Sequence, residues 1–109
     1  MDVQNRVVCS IGQDSHAFSE EWEKPLILGG ILFEDMPGLR ANSDGDVVLH
    51  AITNAISGIT CYNVLGEPAD RLCRSGETNS AAYLNLALEH FTFTHLHPTG
   101  AVNCSPGRI

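Results

Sequence analysis

Three residues of this sequence have side chains suited to holding a metal ion: Asp14, His16 and His50. A carboxylate and two imidazoles form a mixed oxygen and nitrogen ligand set that suits zinc. Three protein ligands leave a fourth tetrahedral position open to water or substrate, as in most catalytic zinc sites. The tripeptide Asp14-Ser15-His16 is common by itself, so its meaning depends on the elements that carry it.

The pattern around these residues predicts an α/β fold, with a mixed sheet and two helices packed on one face. Residues 6–12 are rich in β-prone side chains and predict a strand that ends just before Asp14. Residues 26–33 place two apolar arms around Gly29 and Gly30, which favours a tight hairpin. Residues 81–89 have apolar side chains at helical spacing after a cluster of N-cap residue types.

A first helix is predicted from Asp46 onward, because apolar residues recur at helical spacing as far as Ile59. Ser43 and Asp46 have the spacing of a capping box, with Asp in place of Glu. His50 then lies one turn after Asp46 on the same face. The alternative to a metal site is purely structural: Ser43 and Asp46 only cap the helix, and His50 is a packed residue.

Length and composition limit the class of protein. A chain of 109 residues makes one domain with a small core, and the net charge of −7 with six Lys and Arg excludes a dense phosphate-neutralising face. We therefore expect no nucleic-acid partner. The sequence has no apolar run of about 18 residues and no signal-peptide pattern at its start. We expect a cytoplasmic protein without a membrane segment.

The cysteines and the last residues form no recognised site. The four cysteines contain no C-x-x-C pair, so we expect thiols. Residues 91–97 alternate briefly as a strand does, and proline and glycine then break any regular element. A second zinc site is a less favoured alternative, and its ligands would be His90, His95, His97 and Cys104.

Four motifs occur in an order that resembles the 2-C-methyl-D-erythritol 2,4-cyclodiphosphate synthase family. The run Gly-Gln-Asp-Ser-His-Ala-Phe at residues 12–18 is similar to the family's G-[FY]-D-x-H-x-[FL] opening. Residues 26–30 resemble its glycine hairpin, and residues 43–51 resemble its S-D-[GA]-D-V-x-x-H-[AS] signature. Asn79-Ser80 and the helix after it resemble the next element. The combination is specific, whereas each motif alone is weak.

The resemblance implies a homotrimeric α/β enzyme with active sites between subunits. Its reaction converts 4-diphosphocytidyl-2-C-methyl-D-erythritol 2-phosphate into the cyclic diphosphate and CMP, in non-mevalonate isoprenoid biosynthesis. Zinc or another divalent metal would be bound by Asp14, His16 and His50, and Mg²⁺ would bridge the substrate diphosphate. The substrate, a cytidine diphosphate-linked molecule, would contact Asp14, Ser15, His16, Asn42 and Ser43.

Two departures from the family pattern bear on activity. Asn42 occupies the position of a histidine that assists the transition state, and an amide donates a hydrogen bond without carrying imidazolium charge. After Glu89 the sequence no longer resembles the family, so we expect a synthase-like portion at residues 1–89 and a divergent tail at residues 90–109. The alternative function is a degenerate metal-binding or phosphate-binding homologue without cyclase activity.

Overall fold

The computed structural model describes residues 7–96, with side chains as far as residue 91. Two strands and three helices follow one another along the chain: β1 Pro25–Leu28, β2 Ile31–Pro37, α1 Val47–Thr60, α2 Glu67–Arg74 and α3 Ser80–Leu96. The α/β class predicted from the sequence is confirmed. Helix α2, at Glu67–Arg74, is additional to the two helices predicted from the sequence.

The two strands form the predicted hairpin around Gly29 and Gly30. β1 and β2 pair antiparallel, with Leu28 opposite Ile31. Gly29 and Gly30 have φ angles of 62° and 79°, which L-residues with a Cβ rarely adopt. Within the described residues the sheet consists of these two antiparallel strands. The mixed sheet of the prediction is therefore reduced to a hairpin here.

Residues 7–17 contain no regular strand, so the predicted strand at residues 6–12 is wrong for residues 7–12. The segment lies against α1 instead, and it approaches the helix closely at Gly12. A Cβ there would overlap the carbonyl oxygen of Ala51 and lie 2.5 Å from the Ala55 nitrogen. β-prone residues form a strand only where another strand pairs with them. An isolated bridge between Phe18 and Leu39 is the first sheet-like contact after this segment.

Helix α1 begins one residue after Asp46, which is its N-cap and accepts a hydrogen bond from the Leu49 N–H. The predicted helix is confirmed, but the capping box is not. The Ser43 hydroxyl accepts from the Gly45 N–H at 3.2 Å and does not reach the helix start as its cap. The helix ends at Thr60, and its C-cap Cys61 has a φ of 63° and donates its N–H to the Ser57 carbonyl.

Helix α3 is longer than predicted. Its backbone is helical as far as Leu96, so the strand-like alternation after residue 90 is wrong for residues 91–96. The helix also crosses the boundary predicted at Glu89. The core of the described residues lies between the helices, and its buried members are Val64, Ala69, Tyr83 and Ala87. These side chains are mostly small, so the interior is correspondingly modest.

The cysteines differ from the expectation at one position. Cys9 and Cys73 are free, whereas Cys61 is disulfide-bonded, so thiols were wrongly expected there. Of the alternative second zinc site, His97 and Cys104 lie outside the described residues. No helix between residues 7 and 96 is both long enough and apolar enough to cross a membrane.

Candidate metal centre

Asp14, His16 and His50 come together at the start of α1. The Asp14 Oδ2 atom lies 2.9 Å from His16 Nε2 and 3.1 Å from His50 Nδ1. The two imidazole rings meet edge to face, with centroids 5.6 Å apart. One ligand atom from each residue lies within 4.8 Å of the other two. Two residues close in sequence and one that follows 34 positions later therefore converge on one point.

The His16 Nε2 atom shows that these three residues fit a metal ion. This nitrogen is buried and has no hydrogen-bond partner, although Asp14 Oδ2 is only 2.9 Å away. A buried nitrogen without a partner is costly, because it has lost its hydrogen bonds to water. A divalent cation bound by the three residues would satisfy it. One carboxylate oxygen and two imidazole nitrogens are a donor set for zinc, with a fourth position left open.

Backbone contacts hold Asp14 and His16 in place despite the absence of regular structure. The Asn54 side-chain amide, on α1, donates to the Gln13 carbonyl at 3.0 Å. The Arg40 N–H donates to the Ala17 carbonyl at 2.8 Å. The ligand pair is thus fixed on both sides. The Asn54 amide therefore has a positioning role.

His50 is held in the first turn of α1 and is only 6% exposed. Its backbone N–H donates to the Asp46 carbonyl at 3.0 Å. The ring nitrogen that faces away from Asp14, Nε2, lies 2.8 Å from Ser80 Oγ and 3.4 Å from Ser43 Oγ. Both imidazole nitrogens therefore face polar atoms, and the ring cannot turn without losing contacts.

Tyr83 forms the apolar side of this site. Its ring centroid lies 6.2 Å from that of His50, and its hydroxyl donates to the Glu77 carbonyl at 2.7 Å. Burial, the neighbouring Cys73 and the carboxylates of Asp44 and Glu77 together raise the pKa of Tyr83 to about 12, with burial as the largest cause. The phenol therefore stays neutral and serves as a packed wall of the site.

The other residues predicted to bind substrate lie at the edge of the site. Ser15 and Asn42 are exposed, whereas Ser43 is partly buried. The carbonyl oxygens of Ala41 and Ser43 accept hydrogen bonds from Lys24 Nζ, which ties this loop to the start of the hairpin. The Asn42 carbonyl accepts from Cys73 Sγ at 3.4 Å. The loop is therefore fixed by its backbone, while the side chains of Ser15 and Asn42 are open to solvent.

Two further residues shape the site without having been predicted as site residues. Asp46 is fully buried and accepts hydrogen bonds from the N–H groups of Gly29 and Gly30. Ser80 is also fully buried, and its hydroxyl donates to Asp44 Oδ1. The sequence places Asp46 in a cap motif and Ser80 in an N-cap cluster. Neither pattern tells which distant groups these side chains reach.

The fold and the site define the class of protein: an α/β domain with one candidate three-ligand centre for a divalent metal among its described residues. The model of the YgbB family matches residues 7–97. The chain therefore belongs to the YgbB family.

Named relatives agree with this membership. The chain is 46% identical over 100 residues to the 2-C-methyl-D-erythritol 2,4-cyclodiphosphate synthase of Chlamydia abortus, covering 90% of this chain and 57% of that one. It is 56% identical over 81 residues to the synthase of Chlamydia caviae, covering 72% and 46%. The chain thus spans about half the length of the curated relatives it matches.

A solved structure shows the same fold. It is a 2C-methyl-D-erythritol-2,4-cyclodiphosphate synthase in a CDP-bound form, with a TM-score of 0.65 and 28% identity. The match covers 81% of this chain and 58% of the solved one. The arrangement of hairpin and helices described above is therefore that of a known synthase over most of this chain.

Proposed function

We propose that this chain supplies the metal-binding part of a 2-C-methyl-D-erythritol 2,4-cyclodiphosphate synthase. The observation that carries the proposal is the convergence of Asp14 Oδ2, His16 Nε2 and His50 Nδ1 at the start of α1. The synthase names of relatives at 46% and 56% identity support the reaction. The reaction closes a ring between two phosphates of one substrate and releases CMP.

The ligand set favours zinc as the metal. Zinc held by Asp14, His16 and His50 would supply Lewis-acid chemistry, polarising a phosphoryl oxygen and neutralising the charge that develops on it. Asp14 contributes one negative charge, and His16 and His50 contribute none when neutral, so the loaded centre keeps a positive charge for an anionic substrate. Mg²⁺, with its preference for oxygen ligands, is the second metal we propose, held mainly by the substrate diphosphate.

The protein's own residues act by positioning. The nucleophile and the reacting phosphate belong to the same substrate, so holding that substrate in one folded conformation removes much of the barrier. Ser43 lies beside His50, and Ser15 and Asn42 are exposed at the rim, where they can reach phosphate oxygens. The Asn42 amide donates a hydrogen bond there. These contacts favour the cyclic arrangement over an extended one.

The rest of the proposal concerns partners and location. The CDP-bound form of the solved synthase supports a cytidine diphosphate-linked substrate for this chain. We propose that the protein is cytoplasmic and forms a homotrimer. Apolar side chains on β2 that face solvent in the single chain support the assembly. Their exposed fractions lie between 46% and 61%, and they belong to Ile31, Leu32, Phe33 and Met36. Light scattering of the purified protein measures the mass of the assembly.

A turnover assay tests the proposed function. The purified protein is incubated with zinc, magnesium and the cytidyl substrate, and CMP and cyclic diphosphate are measured. His50→Ala removes a ligand and should abolish both products. His90→Ala is the matched control, since His90 stacks on Tyr62 away from the three ligands. Stoichiometric zinc binding without any product would instead support the alternative function, a metal-binding homologue without cyclase activity. The amide of Asn42, in place of a histidine, favours that alternative.

A further inference from the structure

We infer that Ser80 and Asp44 are positioning residues that fix which nitrogen of His50 faces the metal. This inference rests on the proposed metal centre and deepens it. His50 lies on α1, Ser80 is the first residue of α3, and Asp44 lies in the loop before α1. The three side chains form a continuous row of contacts: His50 Nε2 lies 2.8 Å from Ser80 Oγ, and Ser80 Oγ contacts Asp44 Oδ1.

The direction of each hydrogen bond follows from the chemistry of Asp44. An ionised carboxylate only accepts hydrogen bonds, and a serine hydroxyl has a single hydrogen to donate. Asp44 Oδ1 lies within hydrogen-bond reach of Ser80 Oγ, so the hydroxyl hydrogen points to Asp44. The Ser80 oxygen is then left only as an acceptor. His50 Nε2 therefore donates to Ser80 Oγ at 2.8 Å, since its other neighbour, Ser43 Oγ, is more distant at 3.4 Å.

This direction determines the other nitrogen of His50. A neutral imidazole carries one hydrogen, so an Nε2–H leaves a lone pair on Nδ1. That lone pair faces Asp14 Oδ2 at 3.1 Å, and the His16 Nε2 atom faces the same oxygen. Two electron-rich atoms at this distance repel unless a proton or a metal ion lies between them. The Asp44–Ser80 pair thus prepares His50 to bind a metal through Nδ1.

Burial makes this arrangement firm. Ser80 is fully buried, and Asp44 also accepts the Ser80 backbone N–H through Oδ2 at 3.1 Å. Asp44 is therefore both the acceptor for the hydroxyl and a cap for the start of α3. Its own N–H donates to the Thr78 carbonyl at 2.9 Å, which fixes it in place. Outer hydrogen-bond partners of metal-binding histidines typically change metal affinity by about 10-fold to 100-fold when removed.

The direct test is the tautomer of His50 in zinc-free protein. Long-range ¹H–¹⁵N spectra, recorded at alkaline pH, distinguish the protonated from the unprotonated ring nitrogen. We expect a single Nε2–H form in the wild type and a mixture of both tautomers in Ser80→Ala. The control is Ser75→Ala, which removes an exposed hydroxyl bonded to the Leu72 carbonyl. A single Nε2–H form in Ser80→Ala overturns the inference.

Zinc affinity supplies the second measurement, by competition with a chromophoric chelator. We expect Ser80→Ala to bind zinc roughly 10-fold to 100-fold more weakly than wild type. Asp44→Asn should weaken binding in the wild type but add little in Ser80→Ala, because its effect on His50 passes through the hydroxyl. An equal loss in both backgrounds would mean that Asp44 acts only as a helix cap, which overturns its assigned role.

The two proposals fail in different ways. A wild type that binds no zinc overturns the proposed metal centre, while the tautomer spectra still decide whether Ser80 orients His50. A second outcome is that the wild type binds zinc, His50→Ala does not, and Ser80→Ala binds it with unchanged affinity. That outcome leaves the metal centre intact and removes the role of Ser80. Circular dichroism of each variant establishes that the helices are retained.

Discussion

The carboxylate of Asp46 accepts a hydrogen bond from the Gly30 backbone N–H at 2.7 Å, joining the start of α1 to the hairpin turn. The same carboxylate accepts from the N–H groups of Gly29 at 2.8 Å and Leu49 at 3.0 Å. One fully buried side chain therefore caps the helix that carries His50 and anchors the turn of the β1–β2 hairpin. The hairpin and the candidate metal centre are thus connected through a single residue.

The first prediction concerns the loss of this connection. Asp46→Ala leaves three backbone N–H groups without their acceptor, and we expect the free energy of unfolding to fall by about 3 kcal/mol. Urea unfolding followed by circular dichroism measures it. Asp35→Asn is the control, because Asp35 is exposed on β2 and should change stability by less than about 0.5 kcal/mol. Equal stability of the two variants would contradict the central role of Asp46.

The second prediction concerns Gly12, where the ligand segment passes α1. A methyl group there would overlap the Ala51 carbonyl oxygen and crowd the Ala55 nitrogen, so Gly12→Ala must move the segment away from the helix. We expect a loss of about 2 kcal/mol in stability, together with weaker zinc binding, since Asp14 and His16 move with the segment. Chelator competition measures the second effect.

Gly30→Ala is the matched control for Gly12→Ala. A Cβ at Gly30 meets no atom within 4 Å, but its φ of 79° makes any L-residue strained. The expected cost is about 1 kcal/mol, from backbone conformation alone. Zinc affinity should remain close to that of the wild type. A larger loss of zinc binding in Gly30→Ala than in Gly12→Ala would contradict the steric explanation.

The third prediction is that zinc stabilises the folded protein. A ligand that binds only the native state adds about 2.7 kcal/mol at a free concentration 100 times its Kd. We therefore expect zinc to raise the midpoint of thermal unfolding and a chelator to lower it again. Asp14→Ala should remove this response because it deletes the oxygen shared by His16 and His50. His90→Ala should keep it, and a response of equal size in Asp14→Ala would place the zinc elsewhere.

The fourth prediction concerns alkaline pH. The pKa of Tyr83 is about 12 in the folded protein, above the usual value of 10.0, mainly because the phenol is buried. A raised pKa of an acid means that folding favours its protonated form, so this contribution is complete below pH 10 and is lost as the pH rises toward 12. Ultraviolet titration of tyrosinate should contain a component near pH 12 that disappears in Tyr83→Phe. If this component persisted in Tyr83→Phe, it would belong to another residue.

The local patterns of the sequence predicted the elements that are stabilised locally. Two adjacent glycines between apolar arms predict a hairpin, because the turn needs two positive φ angles. Helical periodicity after Asp46 places His50 in the first turn of α1, because side chains four residues apart share a face. The choice of Asp14, His16 and His50 as a ligand set followed from ligand chemistry, and the proposed zinc site still depends on it.

Tertiary packing decided what neighbouring residues in sequence could not. Residues 7–12 look like a strand, yet without a pairing partner among the described residues they pack on α1, where only a glycine at position 12 fits. Ser80 lies in a cluster of N-cap residue types in the sequence, and Asp44 lies in the motif before α1. The contact of His50 with Ser80 and that of Ser80 with Asp44 join positions 30 and 36 residues apart, which no local spacing encodes. The sequence by itself determined which side chains are able to bind a metal, because ligand chemistry belongs to residue type. The tertiary structure decided which nitrogen of His50 faces the metal position, because hydrogen-bond direction depends on groups brought together by folding.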